Sequence, residues 1–392
     1  MALNTSRDRF FRLFLVFALL GSILHETSCK DSTERQKLSL LLDQLRQQVG
    51  APGAILGVYS KNGKQTIVAS GVADRESGRL ITPDSPYYIG SATKTYTAVT
   101  ILQLAEKGRL SLDDTIDRFL PSFPDGGKIT IRHLLAQTSG LKDFYMYLYY
   151  RPDRKEMIEM VTKRWTQEEL LQLSGRFGRW FEPGTDWDYS STNYFLLGVI
   201  IERVSGTPLP EAYRTHIYEP LGINHTWLPR HEKDRGQLPT GYMGHVKEWK
   251  HSEMFGELGA TTILDQSTAE WSAGGLATPA DENIRFLRAV IEKKLLSQGS
   301  LNAMMQFHST PPLGVSDPKV PPDTFDGYGL GLIKIQRSGF TLLGHGGMFN
   351  GHTAGMWQIP ECGATVAFYF NRAFVNQREV IDRILPAICT AE

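Results

Sequence analysis

The two ends of the chain carry the clearest hydrophobic patterns. Residues 32–49 place leucines and a valine three or four positions apart, and Gly50 follows them, which predicts an amphipathic helix that ends at this glycine. Short apolar runs at 54–59 and 66–69 lie on either side of Asn62-Gly63, a dipeptide typical of tight hairpin turns. The N-terminal part is therefore predicted to form a helix followed by two antiparallel strands.

The C-terminal part shows the same kinds of element in the reverse order. Residues 330–335, 352–358 and 364–370 have the composition of strands, and residues 376–388 have helical spacing. Each of these elements has an apolar face that must be buried. We therefore expect both ends of the chain to share one antiparallel sheet, covered by the first and last helices.

The middle of the chain, from about residue 91 to about residue 309, is predicted to be mainly helical. The sequence thus predicts one α/β (α+β) domain over residues 30–392, in which a large helical region interrupts a sheet layer formed by about residues 36–90 and 310–392. Three alternating glycines near the start of the 310–392 segment are interpreted as close-packing positions within a strand. They are Gly327, Gly329 and Gly331.

The charge balance of the chain argues against a polyanionic partner. The 392 residues include 42 lysines and arginines and 42 aspartates and glutamates, so the formal net charge is zero. No overall field would draw the protein to nucleic acid or to an anionic membrane surface. We therefore expect a small-molecule or peptide substrate and no nucleic-acid partner. The sequence does not predict an oligomeric state.

The three cysteines do not have the spacing of a metal-binding motif. We therefore expect no metal ion, and the sequence contains no pattern that predicts a cofactor. Cys362 and Cys389 can pair in an oxidising compartment or remain two buried thiols, and the sequence leaves both possibilities open.

The first 29 residues have the pattern of a secretory signal peptide. Arg7, Arg9 and Arg12 precede an apolar run at 13–24 that is too short to span a bilayer comfortably. We expect a secreted or periplasmic protein. Two alternatives are an uncleaved anchor helix and lipid attachment at Cys29, and either of these would be the protein's contact with a membrane.

The chemistry predicted for this chain centres on Ser91 and Lys94. They lie three residues apart where a strand-like segment ends and a helix begins, so both side chains would project from one helical face. A lysine among apolar neighbours gives up its proton more readily and can act as the base for a serine hydroxyl. The free N–H groups of the helix start would face an oxyanion formed at Ser91. This pair predicts an acyl-transfer site.

Two other Ser-x-x-Lys quartets occur in the sequence. Ser139 and Lys142 follow a predicted helix, at the end whose dipole disfavours an oxyanion. Ser316 and Lys319 lie in a proline-rich loop, where no helix can align the two side chains. We therefore interpret Ser91 as the nucleophile.

Motifs spread along the chain resemble those of the penicillin-recognising serine hydrolases, which include class C β-lactamases, DD-carboxypeptidases, D-aminopeptidases and related esterases. The matching segments are YIGSATK at 88–94, ITIRHLL at 129–135 with TSG at 138–140, FEPG at 181–184 with YSSTNY at 189–194, and GHGG at 344–347. Similar stretches run from about residue 36 to about residue 386. The resemblance implies a β-lactamase-like fold, in which N- and C-terminal helices flank an antiparallel sheet.

The resemblance also implies catalytic roles. Ser91 would be the acylated nucleophile, and Lys94 would accept its proton. Tyr189 would protonate the leaving group and later activate the hydrolytic water, as a phenol whose pKa is lowered by neighbouring cations. His345, at the first position of the third motif, would donate a hydrogen bond to Tyr189 or to the substrate as a neutral imidazole.

The rest of the third motif would shape the acyl-binding site. Gly346 and Gly347 would leave room for a bound acyl group because they carry no side chain. The backbone amides of Ser91 and Met348 would form the oxyanion hole.

One position departs from the family pattern. The second motif commonly reads Tyr-x-Asn, whereas this chain has Ser191 at its third position. A hydroxyl replaces an amide there, which weakens the recognition of substrate amides and the positioning of the lysine. Asn193 could supply the missing amide, although two residues further along a helix it would face a different direction.

These features favour a D-Ala-D-Ala carboxypeptidase-like enzyme or a D-amino-acid peptidase, because export would place the enzyme beside cell-wall peptides. Ser191 favours the alternative of a carboxylesterase of the same fold. A class C-like β-lactamase is disfavoured, because His345 lacks the permanent positive charge that would attract the carboxylate of a β-lactam. An alternative of another class is a non-catalytic family member that binds a ligand.

Overall fold

The computed structural model describes residues 32–145, 163–243, 259–260, 267–310, 325–349 and 351–389. The predicted signal peptide and the quartet at 316–319 lie outside these residues. Within the described ranges, no helix combines the length and the apolar character needed to cross a membrane.

The strands of the structure belong to one large and two small sheets. They are β1 (Gly53–Tyr59), β2 (Gln65–Gly71), β3 (Tyr87–Tyr88), β4 (Tyr242–Met243), β5 (Gly259–Ala260), β6 (Ala277–Thr278), β7 (Gly327–Tyr328), β8 (Ile333–Arg337), β9 (Phe340–Phe349), β10 (His352–Ile359) and β11 (Ala364–Phe370). The large sheet is antiparallel and has the order β2-β1-β11-β10-β9-β8-β7. The N-terminal hairpin therefore pairs with the last strand, as the sequence predicted.

The helices cover both faces of this sheet. They are α1 (32–48), α2 (Thr93–Glu106), α3 (Ile131–Leu135), α4 (Gln167–Arg176), α5 (Ser191–Ser205), α6 (Leu209–Tyr213), α7 (Glu219–Leu221), α8 (Ser267–Gly274), α9 (Ala280–Ile291), α10 (Gln298–Met304) and α11 (Gln377–Ile388). Helices α2 to α10 lie between β3 and β7 in the chain and form the predicted helical region.

Alternate side chains of the central strands enter two separate hydrophobic cores. In β1, Ala54, Leu56 and Val58 are buried in the core that includes the apolar faces of α1 and α11. Ile55 points to the opposite face and is buried among residues of the helical region. Because successive residues of a strand face opposite sides, a sheet covered on both faces requires nearly continuous apolar strands. The sequence of β1, GAILGVY, meets this requirement.

The structure differs from the prediction at residues 330–335. Strand β8 begins only at Ile333, because the chain first makes a turn at Gly331, which has a φ of +76°. A Cβ at this position would lie 2.5 Å from the Cβ of Ala98 in α2. Gly331 is therefore needed for a turn against α2, and the prediction of an alternating-glycine strand was wrong here. Gly329 also lies outside the strands, whereas Gly327 begins β7.

Cys362 and Cys389 are joined by a disulfide with an S–S distance of 2.00 Å. It connects the turn between β10 and β11 to the residue that follows α11. The structure thus has the paired arrangement, one of the two possibilities that the sequence left open.

The fully buried Asn371 ties the end of β11 to the first hairpin. Its Oδ1 accepts a hydrogen bond from the Gly53 amide at 2.6 Å, and its Nδ2 donates to the Val72 carbonyl at 3.1 Å. Asn371→Ala leaves a buried N–H and a buried C=O without this partner, so we expect the free energy of unfolding to fall by about 3 kcal/mol. Urea unfolding of both proteins with the disulfide intact measures this change.

The matched control is Asn302→Ala, since Asn302 is an exposed asparagine on α10. We expect its effect to stay within about 0.5 kcal/mol. Equal effects of the two substitutions would contradict a bracing role for Asn371.

Candidate active site

Ser91 lies in a 3-10 turn (Gly90–Ala92) that leads directly into α2. The turn depends on Gly90, which has a φ of +53°. A Cβ at Gly90 would lie 2.5 Å from the backbone nitrogen of Met348 in β9. A side chain at position 90 would therefore strain the turn and push β9 away from Ser91.

Lys94 is fully buried beneath Ser91. Its Nζ lies 3.1 Å from Ser91 Oγ, 3.5 Å from Ser191 Oγ and 2.8 Å from the carbonyl oxygen of Ala273 in α8. Burial lowers the pKa of Lys94 below its usual value, since the charged form loses its hydration. The arrangement places an amine of lowered pKa within hydrogen-bonding distance of the serine hydroxyl.

Tyr189 lies on the segment just before α5, and its ring centroid is 5.0 Å from Lys94 Nζ. Burial raises the pKa of Tyr189 above its usual value of 10, although a hydrogen bond with Ser91 acts in the opposite direction. The expectation that nearby cations lower this pKa was wrong, because loss of hydration dominates and the charges of Glu270 and Asp143 raise the pKa further. Tyr189 is therefore a neutral phenol that can pass a proton on, but not a preformed phenolate.

Ser191 begins α5, and its side chain faces the base. Its Oγ is 3.5 Å from Lys94 Nζ. Asn193 points away from the site, because its Nδ2 donates to Gln137 and its Oδ1 accepts from Ser139 Oγ, both at 2.5 Å. Asn193 therefore does not replace the amide that Ser191 lacks.

The third motif lies in β9, which packs against the Ser91 turn. A Cβ at Gly347 would lie 2.6 Å from the backbone nitrogen of Ser91, so a side chain at this position would separate the strand from the nucleophile. Gly346 faces the start of α11, where a Cβ would lie 2.9 Å from Gln377 Nε2. The backbone of Met348 is close to Gly90, so the two amides suggested for the oxyanion hole lie on neighbouring segments.

His345 is buried in β9. Burial, reinforced by the charge of Lys94, lowers the pKa of His345 to about 3, so the imidazole is neutral at physiological pH. Its Nδ1 lies 2.5 Å from the Gly346 carbonyl, and its Nε2 lies 3.5 Å from the hydroxyl of Tyr328. Because a carbonyl oxygen can only accept, Nδ1 carries the proton of the neutral imidazole and Nε2 is an acceptor. This geometry differs from the expectation that His345 donates a hydrogen bond to Tyr189 or the substrate.

Two carboxyl groups near Lys94, the buried Glu270 and the half-buried Asp143, were not identified from the sequence. Glu270 lies in α8, one turn before the carbonyl that accepts from Lys94, and burial raises its pKa to about 7 while Lys94 opposes this shift. Asp143 accepts a hydrogen bond from the Ser191 amide at 3.1 Å, and burial raises its pKa. Glu270 is distant in sequence from every motif, so no local pattern could have indicated it.

The Ser-x-x-Lys quartet at 139–142 does not form a similar pair. Ser139 is buried and donates to Asn193. Lys142 Nζ lies 4.2 Å from the centroid of the Trp180 ring. Lys94 Nζ thus bonds to Ser91 Oγ, whereas Ser139 and Lys142 have other partners.

A cavity of about 190 Å³ opens at Ser91 between the β8–β9 part of the sheet and α11. Tyr189, His345, Gln377 and Arg378 are among its polar lining residues. The apolar part of the lining is larger and consists of Phe325, Ile333, Ile335, Met348, Trp357 and Ile381. The reactive hydroxyl therefore faces a small apolar chamber with one arginine on the α11 side. Among the described residues, no cluster of three or more His, Cys, Asp or Glu side chains could hold a metal ion.

Comparison with known proteins gives concordant matches. Penicillin-binding protein 4* of Bacillus subtilis (strain 168) is 31% identical over 233 residues, which are 59% of this chain and 50% of that protein. Esterase EstB of Burkholderia gladioli is 30% identical over 214 residues, which are 52% of this chain and 54% of the esterase. The matches thus span about half the length of these two relatives.

A solved structure matches over a greater length. The D-amino acid amidase from Ochrobactrum anthropi SV3 superimposes with a TM-score of 0.78 and 26% sequence identity, covering 91% of this chain and 99% of the amidase. This match confirms the predicted β-lactamase-like fold. The family model described as Beta-lactamase matches residues 38–388. The chain therefore belongs to the beta-lactamase family and is a serine hydrolase of the β-lactamase and penicillin-binding superfamily.

Proposed function

We propose that this serine hydrolase cleaves amide or peptide bonds of D-amino-acid derivatives through an acyl-enzyme on Ser91. The observation that carries the proposal is the buried amine of Lys94, 3.1 Å from Ser91 Oγ. Burial lowers the pKa of Lys94 and leaves it able to accept the serine proton. Similarity to a D-amino acid amidase over nearly its whole length supports the substrate class.

In the acylation step, Ser91 Oγ attacks the carbonyl carbon and its proton moves to Lys94 Nζ. The backbone amides of Ser91 and Met348 face the oxyanion that forms. The leaving amine then takes the proton of Tyr189, and Lys94 returns a proton to the phenolate. Both groups end the step neutral, which agrees with the raised pKa of Tyr189 and the lowered pKa of Lys94.

Deacylation reverses this path with water as the nucleophile. The water attacks the acyl carbon and transfers its proton to Tyr189 while the Tyr189 proton passes to Lys94. Breakdown of the second tetrahedral intermediate returns that proton to Ser91 Oγ and releases the acid. Tyr189 acts as a relay, so it need not exist as a free phenolate at any resting stage.

The cavity and its charges support a choice among substrates. His345 is neutral, so the third motif has no cation to attract the carboxylate of a β-lactam. The largely apolar lining suits a substrate with an apolar side chain, and Arg378 can meet a terminal carboxylate. The leader-like residues 1–29 support export, which would give access to D-amino-acid peptides of the cell wall.

Carboxylesterase activity is the second candidate. The Ser191 hydroxyl is the observation that favours it, because a hydroxyl recognises a substrate amide less well than the amide side chain of the usual motif. The similarity to esterase EstB over about half of each chain is consistent with this alternative.

The role of Ser91 can be tested by covalent labelling. A fluorophosphonate probe should add one adduct per chain, located at Ser91 by peptide mass spectrometry. We expect Ser91→Ala to gain no adduct and to lose at least about a thousandfold in kcat, because the nucleophile is removed. In Ser139→Ala the adduct should remain at Ser91. An adduct in Ser91→Ala, or at another serine in the natural chain, would contradict the proposed nucleophile.

The role of Lys94 as a neutral base predicts a pH dependence. Activity should rise with pH as Lys94 loses its proton, so the acidic limb of kcat/KM reports its pKa. The carboxylate of Glu270 raises that pKa. In Glu270→Gln this charge is removed, and we expect the acidic limb to move to lower pH. The measurement is the pH profile of kcat/KM with an uncharged amide.

The control for this shift is Glu282→Gln. Glu282 is a buried glutamate on α9 that bonds to Asn224, His225 and Thr226, away from Lys94. We expect a loss of stability in this variant without a shift of the pH profile. A shift to higher pH in Glu270→Gln would overturn the assignment of the limb to Lys94.

Turnover of matched substrates tests the substrate class. We expect kcat/KM for D-phenylalanine amide to exceed that for L-phenylalanine amide by about tenfold or more, since a fixed cleft binds the two enantiomers differently at the transition state. A chromogenic cephalosporin should be the slowest substrate. A strong preference for a simple acyl ester, without discrimination between the two amides, would favour the esterase alternative instead.

A further inference from the structure

Gln137 is a buried residue with an unusual backbone conformation next to the segment that carries Tyr189. Its φ is +64°, although it is not a glycine, and its side chain is fully buried. A non-glycine residue in the left-handed region costs about 1 kcal/mol or more, so surrounding contacts must hold it there. A glycine would adopt this conformation without strain. What glutamine adds is its side-chain amide.

The contacts of Gln137 fall on both sides of Tyr189. Its backbone carbonyl accepts a hydrogen bond from the Asp188 amide at 3.1 Å. Its side-chain Oε1 accepts from the Ser190 amide, also at 3.1 Å. The residues before and after Tyr189 are therefore both bonded to one residue.

The same side chain also fixes the first turn of α5. Gln137 Oε1 accepts from Nδ2 of Asn193 at 2.5 Å, and Oδ1 of Asn193 accepts from Ser139 Oγ at 2.5 Å. Ser191, whose hydroxyl faces the base, lies between the two anchored positions 190 and 193. One buried amide oxygen thus holds the segment that presents both motif side chains.

This anchoring matters because Tyr189 lies outside the helices and strands of the fold. Its backbone has no regular hydrogen-bond ladder to set its position. The Tyr189 ring nevertheless lies 5.0 Å from Lys94 Nζ, where a small displacement would break the proton path. Gln137 itself does not line the cavity.

We propose that Gln137 is a positioning residue for this hydrolase, which uses its backbone carbonyl and its side-chain oxygen to hold Tyr189 over Lys94. The inference rests on the proposed role of Tyr189 as the proton relay. Proton transfer to a poor leaving group, such as an amine, depends on this placement. Attack by Ser91 on a reagent whose leaving group needs no proton depends on it much less.

The test uses Gln137→Gly, which keeps the backbone conformation and removes the oxygen. We expect kcat for a D-amino-acid amide to fall by about 10- to 100-fold. The rate of fluorophosphonate labelling at Ser91 should stay near that of the natural chain, because fluoride leaves without protonation. We express kcat per mole of Ser91 that the fluorophosphonate can label. Unfolded protein is not labelled, so it does not lower this value. Gln137→Asn, which also tolerates this φ but is one methylene shorter, should behave in the same way if the glycine variant fails to fold.

Rescue and control variants separate positioning from stability. Gln137→Glu retains an acceptor oxygen for the Ser190 and Asn193 donors, so we expect it to recover most of the lost kcat. Gln103→Ala removes another buried glutamine, which bonds to Leu295 and His216 far from Tyr189. We expect this variant to lose stability but to keep kcat per labelled site.

Tyr189→Phe distinguishes failure of the inference from failure of the proposed function. If Tyr189→Phe hydrolyses the amide at the natural rate, the relay role is wrong and the inference falls with it. If Tyr189→Phe is slow while labelled Gln137→Gly keeps the natural kcat, only the inference is overturned. Equal losses of labelling and of amide hydrolysis in Gln137→Gly would also overturn it, because they indicate general damage to the site.

Discussion

Burial of the Lys94 amine is the constraint on which the rest of the site depends. An ammonium group loses its hydration when it is buried, and this cost favours the neutral form. Hydrogen-bond acceptors on Ser91, Ser191 and Ala273 satisfy the amine without supplying a full negative charge. The result is an amine of lowered pKa fixed beside a hydroxyl. The nearby carboxyls of Glu270 and Asp143 act against this effect, because their charges raise the pKa of the amine.

The fold creates this environment by bringing distant segments together. Lys94 lies in α2, its other acceptors lie at the start of α5 and in α8, and β9 from the C-terminal part closes over the serine. This closure requires Gly90 and Gly347, because a Cβ at either position would collide with the facing backbone. The sheet that carries β9 is itself built from both ends of the chain, because the first hairpin pairs with the last strand.

The sequence predicted the parts of the molecule that follow local rules. The hairpin, the outer helices and the pair at 91 and 94 depend on spacing, which is visible in the chain. The pKa of Tyr189 was predicted in the wrong direction, because its burial depends on packing between remote elements. Glu270 and Gln137 were missed for the same reason. The turn at Gly331 was missed because a glycine needed for both a positive φ and close packing looks in sequence like one needed for close packing alone.

Under the proposed function, we expect the choice of substrate to depend on different residues from those that create reactivity. An asparagine at position 191 could serve both the base and a substrate amide, but the single hydroxyl of Ser191 lies 3.5 Å from Lys94 Nζ and is turned toward the base. Under the proposed function we therefore expect hydrogen bonding to contribute less to substrate selection, and the apolar cavity to contribute more. Apolar pockets distinguish side chains that differ by one methylene by only about 1–3 kcal/mol. A site of this kind should accept a range of apolar side chains, with stereochemistry and the leaving group as the stronger filters.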